Sequence, residues 1–127
     1  MTATALALLL YIEAAGEPVD GIHAVASVVH NRAVERKADY WAVIKRSKQF
    51  SGWKKHRRRE AYTEATTTAP GRAKWKVCLE IAQSMVAGEF VPSVTANHYY
   101  NPHICTPPWG HLLADVRFIG SHKFGRL

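Results

Sequence analysis

Between Met1 and Gly16 the chain carries a single charged side chain, Glu13, set in a run of leucines and alanines. Leu6, Leu9 and Leu10 stand seven, four and three residues before it, so on a helix all four share one stripe. A carboxylate without a partner is costly to bury, and the backbone has no structural need for one there. Desolvation raises the pKa of such a group toward the range in which it can donate a proton near neutrality. Glu13 is therefore a candidate general acid. The plainer reading is a glutamate reaching solvent from the end of a core helix.

The chain has 127 residues, 47% of them hydrophobic, which predicts one globular domain spanning the whole length, with no separate binding domain. Seventeen Lys and Arg against ten Asp and Glu leave a formal charge of +7. That balance favours an anionic partner, whether nucleic acid, an acidic polysaccharide or a membrane surface. Cys78 and Cys105 are too few for a disulfide framework, and Cys78 falls on an apolar helical stripe, as expected of a buried free thiol. Ala5–Ile12 has no Lys or Arg before it and runs straight into EAAGEPVDG, so it reads as a core helix rather than a signal peptide.

A first helix is expected from about Thr4 to Ala15, with Thr2 or Thr4 as N-cap and Gly16 ending it. Pro18 suits the first turn of a second helix running to Glu35 or Arg36, and Glu17 reads most simply as a carboxylate at that helix's N-terminus. Trp41–Lys45 reads as a short amphipathic piece, and Gln49–Trp53 as a polar-aromatic loop. Lys54–Arg59, the run KKHRRR, reads as a solvated face or as an anchor for anionic polymers. The Thr-rich stretch Tyr62–Gly71 reads as a loop, and Arg72–Ala87 as a third clear helix. Thr95–Trp109 mixes aromatics, histidines and prolines without period, as a site-forming loop does, and Phe118–Phe124 suits a closing strand or turn.

His98, His103, Cys105 and His111 lack the paired short spacings that hold zinc, so no metal and no cofactor is expected. Cys105 has no helix N-terminus to lower its pKa, which argues against a Cys/His hydrolase. Nucleic-acid binding has the charge and the basic run behind it, but no reading helix or stacking motif. Glycan cleavage fits better, because it needs a protonated acid beside the glycosidic oxygen and aromatic and amide groups to hold the sugars. Glu13 supplies the acid; Tyr99, Tyr100, Asn101, Gln49, Phe50 and Trp109 are the candidate substrate-binding residues, and Glu17 and His122 are secondary candidates.

The phrase IEAAGEPVDGIHAVASVVHNR resembles the signature of the cell-wall hydrolases related to spore cortex-lytic enzymes. Those carry tyrosine-x-glutamate-alanine-arginine-glycine-glutamate-proline, a glycine, then an alanine-valine-rich helix ending in asparagine-arginine. Tyr11, Glu13, Ala14, Gly16, Glu17, Pro18, Gly21, Ala24, Val25, Ala26, Val29, Asn31 and Arg32 stand at the matching places. Gln49-Phe50-Ser51, Tyr99-Tyr100-Asn101-Pro102, Trp109 and Ile119-Gly120-x-His122-x-Phe124 continue the resemblance. Ala15 departs from it, since the family usually has arginine there, and Lys54–Lys74 has no clear counterpart.

The resemblance implies a mainly α, lysozyme-like single domain, α+β at most, with the catalytic glutamate on the first core helix and a small irregular or β element near the C-terminus. It implies cleavage of the β-1,4 bond between N-acetylmuramic acid and N-acetylglucosamine by a lytic transglycosylase or muramidase, with Glu13 as the essential acid/base and Tyr99, Tyr100 and Asn101 along the glycan groove. The alternatives are an N-acetylmuramoyl-L-alanine amidase and a basic binding module without catalysis. A monomeric phage endolysin is the expected setting: made in the host cytoplasm, released onto peptidoglycan, binding no specific nucleic acid, and drawn to an anionic wall or outer membrane through Lys54–Arg59.

Overall fold

The computed structural model describes residues 1–46, 50 and 53–127; the expected substrate contact Gln49 lies outside the described residues. Helix α1 (Ala3–Ala14) is the hub: Leu6, Leu9 and Leu10 are each 0% exposed, and the helix packs against α2 (Val19–Arg36), α4 (Lys55–Thr67) and α5 (Ala69–Val86). Neighbours on several sides explain why α1 is apolar nearly all round. The Thr2 hydroxyl caps it by accepting from the Ala5 amide at 3.1 Å. The chain then turns at Gly16, and Pro18 sits one residue ahead of α2, at its N-cap. A short α3 (Tyr40–Arg46) follows and packs on α2.

Tyr62–Gly71 is not the loop that its threonines suggest. Residues through Thr67 continue α4, and α5 begins at Ala69, leaving only Thr68 between them. Thr66, Thr67 and Thr68 each turn a hydroxyl back onto a carbonyl four residues earlier, at 2.7, 2.6 and 2.8 Å, which satisfies them within a helical path. Ala61 and Ala65, both fully buried, supply the packing edge. Gly71 is required at the corner: a Cβ there would lie 2.2 Å from the Glu64 carbonyl oxygen. The buried face of α5 is Cys78, Ala82 and Met85, whereas Val86 at its end is exposed. Burial pushes the Cys78 thiol up to about 12, so it stays protonated.

The C-terminal part forms a three-stranded antiparallel sheet in the order β1 (His98–Tyr100), β3 (His122–Arg126), β2 (Ala114–Ile119). Within the expected irregular loop, β1 is ordered by pairing Tyr99 with Phe124. The end of α2 fastens the approach to this strand. The Asn31 amide donates to the Val94 and Ala96 carbonyls, each at 2.9 Å, and Arg32 Nε donates to the Asn97 carbonyl at 2.6 Å. The fold is thus mainly α with a small β element. Among the described residues no helix is long and apolar enough to cross a membrane.

Candidate active site

Glu13 lies in the last turn of α1, where the helix meets the sheet. It is half-buried, and desolvation raises its pKa from 4.5 to about 7, with a hydrogen bond from Tyr99 pulling weakly the other way. Tyr99 Oη donates to Glu13 Oε2 at 3.2 Å. The Tyr99 ring stacks on Phe124 at 5.6 Å and meets His122 edge-on at 5.1 Å, so the hydroxyl is held by packing from β3. Burial first, then the Glu13 charge, raise the phenol well above its ordinary value, so it acts as a donor.

Glu13 opens onto a cleft of about 480 Å³, walled also by Tyr11, Glu17, Arg57, Glu64, Asn101, Ile104 and His122. A larger concavity of about 700 Å³ runs beside α2 and β2, but its charged pair Glu35 and Arg126 is already joined at 2.6 Å, and it does not reach Glu13. The chemistry therefore belongs to the smaller cleft.

Glu17 does not stabilise the start of α2 with its carboxylate. Its Oε1 accepts from the Ser121 amide at 2.7 Å and its Oε2 from the Ser121 hydroxyl at 2.8 Å; His122 Nδ1 lies 3.2 Å from Oε1. The carboxylate clamps the β2–β3 turn to the α1–α2 junction. The turn admits this only because Gly120 has φ +58°, where a Cβ would stand 2.6 Å from Glu17 Oε1. His122 has its pKa lowered by burial, against the pull of Glu17.

The expected aromatic wall divides. Tyr99 and Tyr100 are successive strand residues, so their side chains take opposite faces, and only Tyr99 meets Glu13. Tyr100 is buried edge-on to Trp109 at 5.6 Å, and neither residue lines the Glu13 cleft. Phe50 is buried with the Arg32 guanidinium 5.7 Å from its ring centroid, which removes it from the cleft wall; the cation finds its partner face there. Asn101 does line the cleft, with Oδ1 accepting from the His103 amide at 2.9 Å.

Glu64 and Ile104 line the cleft without any sequence signal pointing to them, and Tyr11, a signature position, and Arg57, from the basic run, line it without having been expected as cleft residues. Arg57 and Glu64 were hidden because α4 reads locally as a basic face followed by a loop; the paired small residues Ala61 and Ala65, four apart, are the signal of a packed helix there. The basic run is not uniformly solvated. Lys54, Lys55, His56 and Arg59 are exposed, whereas Arg58 lies 5.0 Å from the Trp53 ring centroid and donates to the Trp53 carbonyl at 3.2 Å.

The comparison with curated proteins returned no match. A solved structure, the catalytic domain of the germination-specific lytic transglycosylase SleB from Bacillus anthracis, superposes with a TM-score of 0.68 at 25% identity, covering 98% of this chain and 93% of that one. The family model described as cell wall hydrolase matches residues 16–125, opening just after Glu13 and taking in the Glu17 clamp, α2 and all of the sheet but its last residue. A match over that span, together with the shared fold, establishes that the chain belongs to the cell wall hydrolase family.

Proposed function

We propose that this enzyme cuts peptidoglycan glycan strands as a lytic transglycosylase, at the β-1,4 bond between N-acetylmuramic acid and N-acetylglucosamine. The observation that carries the reading is Glu13: a carboxyl with a pKa of about 7, facing a cleft and hydrogen-bonded by a buried tyrosine. Protonated, it donates to the glycosidic oxygen as the bond to C1 breaks. The carboxylate left behind keeps the Tyr99 hydrogen bond and takes the proton of the muramic acid 6-hydroxyl, whose oxygen closes on C1. The products are a 1,6-anhydro end and a free 4-hydroxyl, and no water is consumed. One acid/base suffices because the nucleophile belongs to the substrate and is already in place. The likeness to a lytic transglycosylase supports this route, as does the commitment of Glu17 to Ser121.

One observation favours a second reading. Glu64 is an exposed carboxylate in the same cleft, the kind of group that could orient water for a muramidase reaction. Mass analysis of the fragments released from purified peptidoglycan separates the two. Fragments lighter by one water are expected; intact reducing ends would transfer the reading to the muramidase, and free stem peptides to an amidase. In either glycosidase reading the formal charge of +7 supports attraction to an anionic wall, an effect that added salt should weaken.

A further inference from the structure

Arg57 and Arg58 are neighbours in the first turn of α4, yet they serve different ends. Arg58 is spent on Trp53, whose carbonyl it contacts at 3.2 Å and whose ring it covers. Arg57 lines the cleft that holds Glu13. Its side chain is 38% exposed, and among the described residues its one ion pair is with Glu60 at 3.9 Å, too long for a hydrogen bond. A guanidinium half-sunk in a substrate cleft, with its donors uncommitted, is suited to bidentate capture of a carboxylate.

We propose that Arg57 is a specificity-determining residue that binds a carboxylate carried on the 3-substituent of the muramic acid unit. This rests on the peptidoglycan reading above. The sugar rings of such a strand are uncharged, so its anionic groups lie on that substituent, as carboxylates of the attached stem peptide or, where the peptide has been removed, as the lactyl carboxylate. Glu64 in the same cleft does not cancel the site: it stands seven residues further along α4, roughly 10 Å along the axis. The lower part of the cleft, with Glu13 and Asn101, would then hold the sugars, while the α4 wall holds the charge projecting from them.

Steady-state kinetics on soluble glycan strands tests this in three arms: strands bearing stem peptides, the same strands with their carboxylates converted to amides, and strands stripped by an amidase to leave the lactyl carboxylate. R57A and R57Q should raise KM about tenfold on peptide-bearing strands with kcat within about twofold, the loss expected of one charge-assisted contact. R57K should recover part of the loss, and wild type and R57A should converge on amidated strands. A gap that vanishes on stripped strands confines the contact to the peptide carboxylates, and one that persists there shows that the lactyl carboxylate, freed when the amidase cuts its amide bond, is captured in their place. Equal KM values on peptide-bearing strands, a gap undiminished by amidation, or a fall in kcat alone overturns the proposal. A wild-type enzyme that cleaves none of the three overturns the peptidoglycan reading as well, which an active wild type indifferent to Arg57 does not.

Discussion

Tyr99 Oη and Glu13 Oε2 are 3.2 Å apart although 86 residues separate them in the chain. The contact joins the central helix to the first strand, and it gives the cleft carboxyl a donor that outlasts loss of its proton. It also sets the poise of the group: burial drives the pKa up to about 7, and the tyrosine hydrogen bond keeps it from rising further.

Replacing Glu13 with glutamine should abolish glycan cleavage, by about a hundredfold or more for loss of a general acid/base. The same change should alter stability in a pH-dependent way. The folded protein holds the Glu13 proton up to about pH 7, whereas an unperturbed glutamate releases it near 4.5, so the native state binds the extra proton between those values. Wild-type stability therefore falls as pH rises through that window, by up to about 3 kcal/mol. Glu13→Gln escapes this loss. Denaturant melts should find it more stable than wild type at pH 8 and close to it at pH 4.5; identical pH profiles would show that the carboxyl is not desolvated.

Tyr99→Phe removes the hydrogen bond that lowers the Glu13 pKa. The alkaline limb of the pH–rate profile should move above the wild-type position near 7, while the maximal rate drops because the carboxylate intermediate loses its donor. Stability should fall by about 1 kcal/mol. An unmoved alkaline limb would mean that the two groups are not coupled in the working enzyme.

Glu17→Ala strands the Ser121 amide and hydroxyl and frees the β2–β3 turn. Loss of hydrogen bonds to a charged, buried acceptor should cost roughly 3 kcal/mol. Turnover per folded molecule, measured well below the new melting temperature, should stay within about threefold of wild type. A hundredfold loss of turnover in fully folded protein would make Glu17 part of the chemistry after all.

Asn31→Ala deletes both amide contacts to the Val94 and Ala96 carbonyls. A cost of about 2 kcal/mol is expected, accompanied by faster amide exchange over Ala96–Tyr100, because this side chain anchors the segment that delivers Tyr99. Exchange unchanged in that segment would leave Arg32, through the Asn97 carbonyl, as the anchor.

Much of the frame is written locally. The leucine spacing ahead of Glu13, the cap at Thr2, the helix from Val19 to Arg36 and the glutamate stranded on an apolar stripe all depend on near neighbours, so periodicity and burial cost reveal them. What the sequence could not disclose depends on distant partners. The helix at Tyr62–Thr67 exists because Ala61 and Ala65 bury against the rest of the core, a tertiary gain that overrides weak local preference. Glu17 becomes a clamp only because Ser121 folds back to it from 104 positions away. The three-residue strand that sends Tyr99 toward Glu13 and Tyr100 away takes its facing from pairing with β3, and strand facing is set by register, which no single segment encodes.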